Sequence, residues 1–145
     1  MEESPPMNSP VSTTATLIAS IPDVMADVRV GEAARAAGVP LDSVNADAWA
    51  AALATDPRPA GAVVDLTAPG ALDRIGAAVA AGVPVLAYGP HVAADLLAAA
   101  TRAGARRVVP RGRMMQHAGA LMAELLAGSA ADEPSRAEDS DADGS

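Results

Sequence analysis

Short apolar runs alternate along the chain with segments whose apolar residues recur every three or four positions. Continuous apolar runs predict buried strands, and the wider spacing predicts helices that bury one face. The alternation occurs five times between residues 14 and 127, which predicts the element order βαβαβαβαβα. Because crossover connections between parallel strands are right-handed, the fold class we predict is α/β, a five-stranded parallel, doubly wound sheet with strand order 2-1-3-4-5.

The predicted strands are all short and apolar, and they cover residues 16–21, 39–44, 61–66, 83–88 and 107–110. The first two predicted helices begin at polar residues, Asp23 in the first turn of one and Asn45 as the N-cap of the other. The later helices are predicted from apolar stripes: Leu72, Ile75 and Val79; Val92, Leu96 and Ala99; and, from about Arg113, Met114, Ala118, Leu121 and Leu125.

Both ends of the chain differ in composition from the centre. Residues 1–13 are rich in Pro and Ser, and residues 128–145 are acidic and rich in small residues, so we expect two disordered tails around a domain at 14–127. The N-terminus lacks the basic start of a signal peptide, and no apolar run reaches the roughly 18 residues of a membrane span. We therefore expect a cytoplasmic protein without membrane contact.

The composition excludes several kinds of chemistry. There is no cysteine, which rules out disulfides, thiolate metal sites and a cysteine nucleophile. The net charge of −8 argues against nucleic acid as a partner, and every basic residue is an arginine. The sequence has no glycine-rich dinucleotide or Walker motif and no Gly-x-Ser-x-Gly elbow, and its two histidines, His91 and His117, are too isolated for a zinc site.

The candidate site lies beyond the carboxyl ends of the predicted strands, where doubly wound folds place their ligands. The ends of these strands, except the second, supply polar or flexible residues: Ser20, Asp23, Asp65, Thr67, Gly89, His91 and Arg111. Asp65 is the most unusual of them, because it ends the apolar run GAVVD, and a carboxylate buried there without partners would be costly.

Three segments in this order resemble the receiver domain, the phosphoacceptor module of response regulators, over about residues 15–127. They are DLTAP at 65–69, VPVLAYGPH at 83–91 and LLAAATRAGARRVVPRG at 96–112. The resemblance implies a CheY-like, flavodoxin-like fold in which Asp65 stands at the phosphoacceptor position. It also implies a partner that is a kinase or another regulator.

The sequence departs from the receiver pattern at three positions. Ser20, Ile21 and Pro22 stand where receivers carry two metal-binding acids, with Asp23 just beyond. Gly89 replaces the usual hydroxyl residue, and Arg111 stands near the usual lysine. With only Asp65 and Asp23 as weak candidate ligands for Mg²⁺, the chain is similar to the degenerate pseudo-receiver branch, and we expect no cofactor.

These observations predict a stand-alone receiver-like signalling module that is not an enzyme and acts by protein–protein interaction without standard phosphorylation, including a possible homodimer. One alternative is a working single-domain response regulator phosphorylated on Asp65 in a phosphorelay. Another is a small-ligand or hydrolytic site built from Asp65, His91 and Arg111. The expected interface is the face of the fourth helix, fifth strand and fifth helix, with Arg106, Arg113, Met114 and Met115.

Each of these residues also has a purely structural interpretation. Asp65 could cap the following loop and pair with Arg111, and Thr67 could serve as a turn hydroxyl. Tyr88 and Trp49 could simply fill the core. The partner, the pathway and the role of the acidic tail are left open by the sequence.

Overall fold

The computed structural model of the chain describes residues 16–131, so the two expected tails, apart from 128–131, lie outside the described residues. The described residues contain five strands, Leu17–Ser20 (β1), Leu41–Ser43 (β2), Gly61–Asp65 (β3), Val85–Gly89 (β4) and Arg107–Pro110 (β5). All pair in parallel in the order β2-β1-β3-β4-β5. The predicted fold class is confirmed.

Five α-helices connect and follow these strands in the described part of the chain: Val24–Ala36 (α1), Trp49–Leu53 (α2), Ala71–Ala80 (α3), Ala94–Arg102 (α4) and Arg111–Ala131 (α5). A 3-10 helix, Ala46–Ala48, leads into α2. α5 has a non-helical kink at His117 and extends to Ala131. Between residues 16 and 131, no helix has both the length and the apolar character needed to cross a membrane.

Side-chain oxygens fix the starts of the first two helical segments. The Asp23 carboxylate accepts hydrogen bonds from the backbone N–H groups of Met25 and Ala26, and Asn45 Oδ1 accepts one from Ala48 N–H. Both residues are therefore N-caps, which satisfy backbone donors that the first turn of a helix leaves free. Asp23 stands at the cap itself rather than within the first turn, where the sequence placed it.

The sheet is covered on both faces by cores of small and medium side chains. One core lies between the sheet and helices α1 and α5, and includes Val63, Tyr88 and Met122. The other lies on the opposite face against α2, α3 and α4, and includes Val64, Trp49 and Ile75. Alternate residues of each central strand point to opposite cores, as the strand period of two requires.

Two predicted helix stripes are wrong in part. In α3 the buried residues are Ala71, Ile75 and Ala78, whereas Leu72 and Val79 are about one-third exposed, at 37% and 39%. Val92 is 81% exposed and precedes α4, whose buried residue is Ala100. The alanines face the sheet because small side chains let these helices approach it closely, which places the larger aliphatic side chains at the flanks.

Gly119 of α5 lies close to the backbone of α1. A Cβ atom there would lie 3.2 Å from the backbone oxygen of Ala33 and 3.3 Å from the Cβ of Ala37, both on or just after α1. The two helices therefore pack backbone against backbone at this point. Gly76, on the exposed side of α3, has no atom within 4 Å of such a Cβ.

We expect Gly119→Val to destabilise the fold by about 1–3 kcal/mol, because its side chain must push α1 away from α5. The matched variant Gly76→Val should change the free energy of unfolding by less than about 0.5 kcal/mol, because its side chain enters open space. Urea unfolding followed by the fluorescence of the chain's one tryptophan measures both values. Equal stabilities for the two variants would contradict the close crossing.

Candidate functional site

Asp65 is buried at the end of the central strand β3, with 1% of its surface exposed. Its Oδ1 atom accepts hydrogen bonds from Thr67 N–H at 2.9 Å and from the Thr67 hydroxyl at 2.7 Å. Its Oδ2 atom accepts a hydrogen bond from the Tyr88 hydroxyl at 3.2 Å. The fold itself thus supplies partners for both carboxylate oxygens, which offsets the cost of burying the charge.

Tyr88 reaches Asp65 because the two residues are paired across β3 and β4. Neighbouring residues in paired parallel strands point to the same face, here the face covered by α1 and α5. Tyr88 has no exposed surface. Burial raises the pKa of its phenol well above the ordinary value of 10.0, and the adjacent Asp65 charge and hydrogen bond raise it further. Tyr88 therefore remains a hydrogen-bond donor at physiological pH.

Arg111 pairs with Asp23, and the expectation that it pairs with Asp65 is wrong. Its Nη2 atom lies 3.7 Å from Asp23 Oδ2, and both side chains are about half exposed. Arg111 begins α5, directly after β5, whereas Asp23 caps α1, so the pair joins the two helices that cover one face of the sheet. Because both side chains are exposed to solvent and the distance between the charged atoms is large for an ion pair, the pair contributes little to stability.

Gly89 ends β4, and the space above its Cα atom is occupied. A Cβ atom there would lie 3.2 Å from Leu66 Cβ and 3.4 Å from Leu66 Cδ1. Leu66 is itself buried. A side chain at this position would therefore require Leu66 to shift by a few tenths of an ångström.

The arrangement does not fit Mg²⁺. The ion prefers several oxygen ligands in octahedral geometry, with one or two carboxylates and water completing the shell. Asp65 is buried and already accepts three hydrogen bonds, while Asp23 accepts two backbone hydrogen bonds and faces the Arg111 guanidinium. Residues 16–131 hold no group of three acidic, histidine or cysteine side chains suited to a metal ion.

The remaining predicted residues are dispersed over the site and the neighbouring surface. His91 is exposed in the loop after β4, and in residues 16–131 no hydrogen bond or ion pair joins it to Asp65 or Arg111. Of the proposed interface residues, Arg106 and Arg113 are exposed and Met115 is half-buried. The expectation for Met114 is wrong, because its side chain is fully buried in the core beneath α5.

The sequence did not identify Tyr88 and Leu66 as parts of the site. Tyr88 is the only tyrosine of the chain and stands one residue before Gly89, yet its contact with Asp65 depends on the register between β3 and β4. Leu66 is part of the motif DLTAP, but an aliphatic residue there gives no indication that it covers Gly89. Both contacts come from pairing across strands, which a single sequence does not report.

We expect the stability of the folded chain to fall as the pH rises above about 10. Above that pH the unfolded chain loses the tyrosine proton while folded Tyr88, with its raised pKa, keeps it, so protons are released on unfolding. The loss approaches about 1.4 kcal/mol per pH unit while this condition holds. The chain has no lysine or cysteine to titrate in the same range.

Urea unfolding at several pH values tests this, with Tyr88→Phe as the comparison. The variant should be less stable by about 1–3 kcal/mol at pH 7, because it leaves Asp65 Oδ2 without its donor. It should also lose the alkaline decline. A native-state tyrosinate absorbance that develops with an ordinary tyrosine pKa would contradict the buried hydrogen bond.

No protein-family model matches the sequence, and no curated protein matches it at a significant level. Solved structures do resemble the fold. A protein from Chloroflexus aurantiacus named as a response regulator aligns with a TM-score of 0.67 at 17% identity, over 78% of this chain and 98% of its own.

Two further structures resemble the chain to a similar degree. A response regulator receiver protein from Pseudoalteromonas atlantica gives a TM-score of 0.66 at 11% identity, over 79% of this chain and 98% of its own. A response regulator from Thermotoga maritima gives 0.61 at 15% identity, over 79% and 98%. The chain therefore has the CheY-like fold found in response-regulator receiver domains.

Proposed function

We propose that this chain is a receiver-like regulatory module that binds a protein partner in the cytoplasm without phosphorylation of Asp65. The observation that carries the proposal is the state of the Asp65 carboxylate. It is 1% exposed, and its two oxygens accept hydrogen bonds from Thr67 and Tyr88. The residue at the phosphoacceptor position thus serves as a structural acceptor within the fold.

Phosphoryl transfer to a carboxylate needs an oxygen with a free lone pair in line with the leaving group, and cations around the transferred group. At Asp65, Oδ2 accepts one hydrogen bond and keeps a second lone pair, but the residue is 1% exposed, so the groups that cover it would have to move before a donor could approach. The nearest arginine of the site, Arg111, is directed to Asp23. These features together favour a module that works without Mg²⁺ and without a phosphoryl donor.

A module of this kind must bind through a surface that is already formed. Our candidate is the face of α4, β5 and α5, where Arg106 and Arg113 are exposed and Met115 is half-buried. Arginine and methionine are enriched in protein interfaces, and two cations suit an acidic patch on a kinase, on another regulator or on a second copy of this acidic chain.

We expect no stable phosphoryl group on the protein after incubation with acetyl phosphate and Mg²⁺, because the Asp65 carboxylate is 1% exposed and the Arg111 guanidinium faces Asp23. Intact mass measures the outcome directly. The variant Tyr88→Phe, which frees Oδ2, provides a comparison in which any residual reactivity should increase. Stoichiometric gain of one phosphoryl group by the wild type, lost in Asp65→Asn, would instead support the phosphorelay function.

The interface is tested by charge reversal. We expect Arg106→Glu with Arg113→Glu to weaken binding of the partner by about tenfold or more, since rim charges set electrostatic complementarity. Arg35→Glu, at the end of α1, is the matched control and should bind as the wild type does. Asp65→Asn should also retain binding.

The partner is first isolated by cross-linking to the wild-type protein, and dissociation constants are then measured with purified components, including the chain itself as its own partner. Equal affinities for the double variant and the control would exclude this face.

A further inference from the structure

A groove of about 490 Å³ lies beyond the carboxyl ends of β1, β2 and β3. Its walls are the residues that follow these strands, among them Ser20 and Ile21 after β1, Val44 and Asn45 after β2, and Pro69 after β3. In the strand order β2-β1-β3, the connections run to opposite sides of β1, which makes this the point where the winding reverses. Crevices at such points are the common ligand sites of doubly wound sheets, and the volume suits a small molecule.

The groove is separate from the Asp65 site. Ser20 lies two residues after Ile18, which packs in the core against α2, α3 and α4, so the Ser20 side chain points to that face of the sheet. Asp65 is paired with Tyr88, which belongs to the core on the opposite face. None of the groove-lining residues is Asp65, Tyr88 or Arg111.

Arg74 of α3 is the one charged residue that lines the groove. Its Nη2 atom donates a hydrogen bond to the Pro69 carbonyl at 2.6 Å, which holds the guanidinium over the loop after β3. Its Nε atom is buried and has no hydrogen-bond partner within the described part of the chain. Residues 16–131 form two ion pairs, Arg107 with Glu124 and Arg111 with Asp23, and neither involves Arg74.

Arg74 is half-buried and has no acid partner among residues 16–131, in a chain with net charge −8. The Nε donor is enclosed by the protein, so a ligand in the groove would meet the terminal nitrogens of the guanidinium, one of which already donates to the Pro69 carbonyl. The guanidinium is planar and can donate two parallel hydrogen bonds to a carboxylate, and it is only weakly hydrated, so a carboxylate is a better partner for it than water is. Asn45 uses its Oδ1 atom to cap the 3-10 helix, which leaves its NH₂ group as a further donor at the groove.

The rest of the lining is mainly apolar, with Ile21, Pro22, Val44 and Pro69. The Ser43 hydroxyl, which also lines the groove, already donates to Asp27 Oδ1 at 2.6 Å. A ligand that satisfies this surface has one anionic end for Arg74 and an apolar body for the aliphatic walls. We propose that the groove binds a small organic acid, a carboxylate attached to an apolar group, with Arg74 as the residue that holds its charge.

The experiment compares benzoate with benzamide, which has the same shape without the charge, and with acetate, which has the charge without the ring. Each is titrated into the isotope-labelled full chain while backbone amide resonances and the Arg74 Nε–H resonance are recorded. We expect benzoate to shift the resonances of Ser20, Val44 and Arg74 in a saturable way, with a dissociation constant of about 1 mM or tighter. Benzamide and acetate should each bind at least about tenfold more weakly.

Arg74→Gln should weaken benzoate binding by at least about tenfold, whereas the control Arg102→Gln, on the exposed end of α4, should leave it unchanged. Arg74→Lys keeps the charge but loses the planar fork, and should give an intermediate affinity; it also replaces the glutamine variant if that one fails to fold. The proposal is overturned if benzoate gives no saturable shifts in the groove, if benzamide or acetate binds as tightly, or if the folded Arg74 variant binds as the wild type does. The outcome does not depend on whether Asp65 accepts a phosphoryl group.

Discussion

The buried carboxylate of Asp65 is the constraint on which the functional end of this protein depends. A charge with 1% exposure is tolerated only where hydrogen bonds replace those it made with water. Here the replacements are the Thr67 backbone and hydroxyl in the following loop and the Tyr88 hydroxyl on the neighbouring strand. The loop conformation, the strand register and the buried phenol are therefore coupled, because a change in any one of them leaves part of the charge without a partner.

The packing of small residues determines the shape around this carboxylate. The core contains almost no aromatic side chains, so the helices approach the sheet and one another through alanine and glycine, as α5 approaches α1 at Gly119. The same close packing occurs at the end of β4, where Leu66 occupies the space above Gly89. The absence of a side chain at Gly89 and the position of Leu66 above it are thus two aspects of one local arrangement.

Two arginines at the carboxyl end of the sheet have different surroundings. Arg111 has an acidic neighbour in Asp23, and the pair lies between the starts of α1 and α5. Arg74 lies on the other face, with a backbone carbonyl as its hydrogen-bond acceptor and a buried Nε atom without one. The positive charge of Arg74 beside the groove gives that face a chemistry distinct from that of the Asp65 site.

Patterns along the chain are enough to predict the order of the elements, the parallel sheet and the set of residues at its carboxyl end. These follow from short-range patterns, because apolar runs, helix caps and glycines act on their own neighbours in the chain. Alanine-rich helices were harder to orient from the sequence, and the stripes predicted for α3 and α4 differ from the buried ones, because with so many small apolar residues several faces of a helix look equally apolar. The partner of each charged residue depends instead on packing between distant parts of the chain. Tyr88 rather than Arg111 contacts Asp65 because of the register between β3 and β4. Met114 is buried because α5 begins at Arg111 and lies on the sheet, and Arg74 reaches the groove because the loop after β3 turns back towards α3. These contacts join residues far apart in the chain, and their distances are set by packing that no local pattern records.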